Sequence, residues 1–334
     1  MKYEIIIAQN NEIAITPLAF LQKNSHCGTL CAVISMKKQL RSSALLLVAT
    51  IIWGSAFVSQ SIAANHIGPF TFQAVRSFMA FLAMLPLIAL MDQKNACQKN
   101  FWQRWVDPQL WIAGLLCGIP LFLATNLQQM GLADTDAGKS GFLTAMYIVI
   151  VPLIGIFRGQ KPTVLIPLSV CIAVAGLYCL SCMGETDFRI SDLLLLGCAL
   201  MFAVQITVVD IYVSRVDPIR LNALQVLICS ILSAVFMAFT ETPSLSGIQA
   251  SFLPLLHTGI LSMGVAYGLQ IIAQKDLPPA PAALIMSLES VFALIFGFVF
   301  LQETMTQWEF AGCALVFAAV ILSQIPLKPK NEST

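Results

Sequence analysis

Charge is what this sequence has least of. Only 10% of its 334 residues are Asp, Glu, Lys or Arg, where a water-soluble globular chain carries about 25%. With so few charges the chain cannot cover its outer surface with solvated groups, so most of that surface must face hydrocarbon. Histidine is scarcer still: His26, His66 and His257 are the only three, and with so few no zinc site is expected at the C-x-x-C of Cys179 and Cys182. The net charge of +1 gives no global field for nucleic acid or another polyanion. No loop is long enough to hold a nucleotide-hydrolysing domain, which excludes an ATP-driven pump, and there is no H-E-x-x-H. No cofactor is expected. Most of the ten cysteines sit inside apolar runs, where a free thiol behaves as a small hydrophobe.

What the chain has in quantity is apolar sequence: 58% hydrophobic residues and a mean hydropathy of +0.83. A helix that crosses a bilayer needs about 20 mainly apolar residues. Ten such segments are legible, at 43–63, 70–91, 110–131, 137–157, 164–183, 192–213, 219–240, 252–273, 280–301 and 308–325. The runs are long and continuous rather than alternating, so they predict helices and not a barrel. The expected class is an all-α integral membrane protein of ten transmembrane helices.

Orientation follows from Lys and Arg in the connections. With the first span starting in the cytoplasm, that side holds Lys37, Lys38, Arg41, Lys94, Lys99, Arg104, Arg158, Lys161, Arg215, Arg220, Lys275, Lys328 and Lys330. The other side holds Lys139 and Arg189. Both termini are therefore expected in the cytoplasm. Residues 1–35 do not fit: Gln9, Asn10, Asn11, Glu12, Pro17 and Lys23 break the segment before it can span. Met36-Lys37-Lys38 reads as a natural beginning, so 1–35 is expected to be a dispensable extension, ahead of a unit at 36–183, a second at 190–327 and a tail at 328–334.

The two units match when overlaid. Gly68-Pro69-Phe70 through Arg76 aligns with Asp217-Pro218-Ile219 through Gln225. Ala124 to Gln128 aligns with Ala266 to Gln270, and the same register pairs Tyr147 with Glu289. Five spans per unit is an odd number, so the second unit enters the membrane from the opposite side. Inverted repeats of this kind are common in secondary transporters, whose binding site lies near midplane between the halves. A duplicated scaffold without transport is the bland alternative.

The same residues resemble a known family. Trp53-Gly54-Ser55, Gly68 to Arg76, Leu127 to Leu132, Ala137 to Tyr147 with Val151-Pro152, and Ser287-Leu288-Glu289-Ser290 through Glu303 are similar, in order, to the motifs of the EamA-like members of the drug/metabolite transporter superfamily. The resemblance covers 36–325. It implies ten helices in two five-helix repeats and efflux or exchange of amino acids, related metabolites or drugs. The family often has Glu-Pro-Val in its ninth helix; here Ser290 stands at that proline, which leaves any kink there open.

Charges inside spans mark function or a buried partner. Arg76, about a third of the way into the second span, offers a fork suited to a carboxylate. Glu289, near the middle of the ninth, can exchange a proton during a cycle or accept a substrate amine. Alternatively the two pair with each other and tie the halves together. Asp210 and His257 read as interfacial. Asn126, Gln128, Gln205, Gln225 and Gln270 are polar groups at repeat-related depths, and Trp53, Tyr147 and Tyr267 lie too deep to be headgroup anchors, so all eight join Arg76 and Glu289 as candidate cavity lining. One cation in the hydrocarbon region is too few for phosphate-bearing solutes. The expectation is a secondary transporter, exporter or exchanger, of a small neutral, zwitterionic or cationic metabolite such as an amino acid, coupled to protons or a counter-substrate, in a bacterial inner membrane. Organic-cation efflux is the alternative. A remote rival is an intramembrane serine protease, since Gly138-Lys139-Ser140-Gly141 fits G-x-S-G and His257 could serve as base. A phosphate loop is excluded, because Ala133 stands where that motif needs glycine.

Overall fold

The computed structural model describes residues 3–7, 13–17, 25–94, 101–135, 137–160, 162–181, 189–301 and 306–325. Lys99, Lys161, Cys182, Glu303, Lys328 and Lys330, with the expected boundary at 183 and the tail from 328, lie outside these residues.

The described residues begin with an antiparallel hairpin, β1 (Tyr3–Ile7) and β2 (Ile13–Pro17), and their remaining regular elements are helices. The helices are α1 (Ser25–Ala64), α2 (Pro69–Lys94), α3 (Phe101–Trp105), α4 (Pro108–Leu132), α5 (Ala137–Ala145), α6 (Tyr147–Phe157), α7 (Leu165–Ser181), α8 (Ile190–Tyr212), α9 (Pro218–Thr240), α10 (Leu245–Ala250), α11 (Phe252–Leu256), a π-helical segment (His257–Ala266), α12 (Tyr267–Gln274), α13 (Pro279–Met286), α14 (Leu288–Leu301) and α15 (Gln307–Ser323). Among the described residues, eight stretches are long and apolar enough to cross a membrane, counting α5–α6, α11–α12 and α13–α14 as one each. Two further apolar helices, Leu165–Cys179 and Gln307–Ser323, are shorter. The hairpin and the first turns of α1 occupy the segment before residue 36.

Helix starts are written locally. Asp107 and Asp217 each precede a proline and cap with their carboxylates: Asp107 Oδ1 accepts from Gln109 N–H, and Asp217 Oδ1 from Ile219 and Arg220 N–H. Proline at the first helical position gives up a donor the helix could not use. Thr306 and Glu309 close a reciprocal capping box on α15.

In a bilayer the lipid is as apolar as the side chains, so helices associate through close packing and interhelical hydrogen bonds. The closely packed pairs are α2 with α9, α4 with α8 and α9, α1 with α14, and α7 with α15. Gly54 permits the third of these, because a Cβ there would strike Phe292 and the backbone of Ala293. The main core draws Leu121 and Tyr147 from one half and Phe202, Met263 and Leu284 from the other, while Leu82, Leu116, Ile156, Val235 and Phe298 point outward. α2 and α9 run antiparallel and are pinned at both ends. At one end Asp92 of α2 takes Arg104 at 2.7 Å and also Arg220. At the other, Glu241, just past α9, accepts from Phe70 N–H at 2.9 Å, Thr71 N–H at 2.8 Å and the Thr71 hydroxyl at 2.6 Å.

Three spans are interrupted near mid-length. α5 gives way to α6 at Met146, and α13 to α14 at Ser287. The second break answers the question left by the missing proline: the helix is interrupted without one, three residues before Ser290. Ser287 turns its hydroxyl onto Leu284 O at 2.7 Å, and Ser290 donates to Gly141 O at 2.8 Å across to α5. The third interruption is the π segment, whose widened turns free carbonyls for side chains. Asn222 of α9 takes up two of them, Met263 O at 3.2 Å and Gly264 O at 2.9 Å.

Candidate functional site

The interruptions surround one cavity. Trp53 of α1, Arg76 of α2, Gln128 of α4 and Tyr147 of α6 line it. Gln205 of α8, Tyr267 and Gln270 of α12 and Glu289 of α14 complete the polar wall. Tyr147 and Glu289 are brought there by the breaks, one at the first residue of α6 and the other at the second of α14.

Arg76 is 2% exposed. Its Nε donates to Gln73 Oε1 at 2.7 Å, and its guanidinium lies 4.8 Å from the Phe72 ring centroid. Gln73 is itself held, donating to Ser77 Oγ at 3.0 Å and Cys229 Sγ at 3.1 Å. Gly259 of the π segment sits against the Arg76 carbonyl, where a Cβ would come within 2.8 Å. Among the described residues no carboxylate lies within ion-pair reach of this arginine. Glu289 is 7% exposed and receives one hydrogen bond, from the Tyr147 hydroxyl to Oε1 at 3.0 Å. Arg76 and Glu289 thus do not pair with each other; the alternative in which they tie the halves together is not what the structure has. Two fixed groups of opposite charge character share a cavity wall, each with capacity to spare.

Aromatic rings supply the rest of the surface: Trp53 meets Tyr267 edge-on at 5.0 Å, and Tyr147 meets Phe202 at 6.4 Å. The amides form a chain. Gln270 Nε2 donates to Gln205 Oε1 at 3.1 Å and to Gln274 Oε1 at 3.0 Å; Gln205 Nε2 donates to Gln225 Oε1 at 3.1 Å; Gln225 Nε2 donates to Asn222 Oδ1 at 2.9 Å. Two candidates therefore stand apart from the lining. Gln225 lies behind Gln205 and fixes its amide. Asn126 binds Phe122 O at 2.8 Å and Ser233 Oγ at 3.1 Å, joining α4 to α9. Residue type and depth suggested both, but helix rotation turns them from the cavity.

The sequence reading did not single out Gln60 and Ser262, which the structure adds to the lining. Gln60 lies seven residues from Trp53, on the same helix face, and that spacing was the available signal. The other ionisable groups are engaged elsewhere. Asp210 is 3.6 Å from Arg158, and Lys139 is 3.1 Å from Asp192. His257 bonds Ser55 at 3.2 Å through Nε2 and Ser59 at 2.9 Å through Nδ1, whereas Ser140 donates to Thr135 O at 3.5 Å. With both ring nitrogens of His257 taken and Ser140 turned elsewhere, the serine-protease arrangement does not form. Among the described residues no cluster of three His, Cys, Asp or Glu could hold a metal ion.

Comparison with known proteins agrees with this architecture. The EamA-like transporter family matches twice, over residues 40–182 and again over 189–324. An uncharacterized transporter of Archaeoglobus fulgidus is 34% identical over 291 residues, covering 85% of this chain and 86% of that protein. The threonine/homoserine exporter RhtA of Escherichia coli is 27% identical over 185 residues, 54% of this chain and 60% of its own. A solved crystal structure superposes with a TM-score of 0.68 over 84% of this chain and 95% of that one, at 17% identity, which bears on the fold alone. A polar cavity enclosed by apolar spans, in a chain that carries the family's repeat twice and shares a third of its residues with a transporter along most of its length, makes this protein a member of the EamA-like transporter family: a multi-pass membrane transporter, not an enzyme.

Proposed function

We propose that this transporter carries a small zwitterionic solute of the amino-acid class, as a secondary exporter or exchanger in a bacterial cytoplasmic membrane. The observation that carries the reading is the pair of buried groups on one cavity wall, Arg76 without a carboxylate partner and Glu289 held through one oxygen by Tyr147. A charge kept in a low-dielectric site without a counter-ion is costly, and its retention points to a ligand that supplies one. Arg76 is suited to a carboxylate and Glu289 to an ammonium group, so a zwitterion satisfies both at once. The exporter RhtA, named for two amino acids, supports the same class.

Movement is read as alternating access between two inverted five-helix repeats, 36–183 and 190–327, with both termini in the cytoplasm. In support, the register that relates Gly68-Pro69 to Asp217-Pro218 also relates Trp53 to Phe202, Ala56 to Gln205 and Phe57 to Ile206, all in the lining. α7 and α15 then serve as the fifth and tenth spans. They pack on each other, and 17 residues reach roughly 25 Å, near the lower limit for crossing. Glu289 exchanges a proton, or a counter-substrate amine, as the cavity changes sides.

Uptake of labelled amino acids into proteoliposomes, with and without a pH gradient, tests the reading against Arg76→Gln and Glu289→Gln. Loss of transport in Arg76→Gln and loss of proton coupling in Glu289→Gln are expected; transport unaffected by both would sink it. The aromatic walls of Trp53, Tyr147, Tyr267 and Phe202 favour organic-cation efflux as a second reading. In that case Arg76→Gln would improve transport, by removing a like charge.

A further inference from the structure

Resting on the zwitterion reading, the structure assigns a third recognition point: we infer that Gln60, with Trp53, reads an uncharged hydrogen-bonding group, a hydroxyl or carboxamide, on the solute's side chain. Gln60 is 3% exposed, yet its Oε1 has no hydrogen-bond partner among the described residues. Trp53 Nε1 is likewise buried and unpartnered. One is an acceptor, the other a donor, and both side chains line the cavity. They stand seven residues apart on α1, two helical turns along one face, so both look into the cavity from the same helix. A hydroxyl can give its proton to an acceptor such as Gln60 Oε1 or take one at its oxygen from a donor such as Trp53 Nε1.

Two further observations separate Gln60 from an ordinary packing amide. The oxygens of Gln270, Gln129 and Asn126 are unpartnered too, but Gln270 is held through its NH2 group in the chain running from Gln274 through Gln205 and Gln225 to Asn222, and Asn126 bridges two helices. Gln60 receives only a backbone contact: its carbonyl oxygen accepts from Gln129 Nε2 at 3.1 Å. The repeat also breaks at this position. The register that pairs Trp53 with Phe202 and Phe57 with Ile206 puts Val209 opposite Gln60, and Val209 is buried in a separate apolar cluster away from the cavity. The polar end of the site is therefore peculiar to the first half, and it gives the cavity a direction beyond the Arg76–Glu289 axis. Arg76 is the only Lys or Arg in the lining, so no second cation awaits an acidic side chain.

A site whose buried polar groups need a partner rejects an isostere that lacks one far more strongly than an apolar pocket rejects an added hydroxyl. The test compares isosteric pairs, serine with 2-aminobutyrate and threonine with valine, as labelled solutes in proteoliposomes holding wild type, Gln60→Met or Trp53→Phe. Wild type should favour the hydroxylated member of each pair by tenfold or more in kcat/KM. Both substitutions should bring that ratio toward one, mainly through the hydroxylated solutes. The ratio is measured within one protein preparation, so it does not depend on yield, and Trp53→Phe carries the test if Gln60→Met does not fold. If wild type moves both members alike, or if the substituted proteins keep the ratio, the side-chain proposal is overturned while the zwitterion reading stands. If none of the four solutes moves, the zwitterion reading fails and takes this proposal with it.

Discussion

The ends and the middle of the α2–α9 pair treat charge in opposite ways. At the ends, charges are partnered: Asp92 is shared by Arg104 and Arg220, and Glu241 is wrapped around the first turn of α2. In the middle, Arg76 lies deeper than any of these and has an amide and an aromatic face but no carboxylate. Charged groups at the ends gain from pairing, and Glu241 gains also from the positive end of the α2 dipole. An unpaired guanidinium at mid-depth gains nothing of the kind, so the fold carries it at a net cost. Stability explains the ends; on the proposed reading, recognition of the solute explains the middle.

Substitutions that neutralise one site of each kind should therefore give opposite phenotypes. The largest effect is expected for Arg76→Gln: amino-acid transport should fall about a hundredfold, the loss of roughly 3 kcal/mol from charged hydrogen bonds to the solute. The thermal midpoint of the purified protein should hold or rise, because a buried unpaired charge has gone. Asp92→Asn should do the reverse, lowering stability by about 2 kcal/mol, since Arg220 is buried and keeps only the longer contact to Asp217 at 3.5 Å. Its transport per folded molecule should stay within about twofold of wild type, as Asp92 does not touch the cavity. Chemical denaturation and uptake on the same preparations check both. If Arg76→Gln destabilised and Asp92→Asn silenced transport, the contrast would be inverted.

Smaller effects sharpen it. Tyr147→Phe removes the one hydrogen bond to Glu289; a loss of about 1 kcal/mol, roughly fivefold in solute affinity, should be read in uptake KM with the fold unchanged. Glu241→Gln keeps a capping acceptor on α2 but removes its charge. It should cost about 0.5 kcal/mol of stability, visible in denaturation only and diminished by salt.

Much of the architecture was readable because hydrocarbon is an exacting solvent. A segment must be long and apolar to lie in it, so α2, α4, α8 and α9 are announced by composition, and a charge such as Arg76 or Glu289 stands out against that background. Rotation about the helix axis is a different matter. Lipid-facing and core-facing positions are both apolar in a membrane, so no polar stripe marks the solvent side as it does in a soluble helix. That is why Asn126, Gln225 and Gln128, close in type and depth, could not be told apart in the sequence, and why Gln60 was passed over. The break at Ser287 was equally hidden, because it rests on hydroxyl contacts to Leu284 and Gly141 and not on a proline.

The sequence by itself determined that the chain lives in a bilayer and that Arg76 and Glu289 lie inside spans, since both follow from the cost of placing polar groups in hydrocarbon, and its internal match showed that the two halves repeat. Tertiary structure decided which of those groups meet. The π segment, the interruptions at Met146 and Ser287 and the close approach of Gly259 to Arg76 set helix rotation and depth through packing between distant parts of the chain. Those contacts bring Arg76, Glu289 and Gln60 to one cavity and leave Gln225 behind it, a matter of long-range geometry that local sequence does not encode.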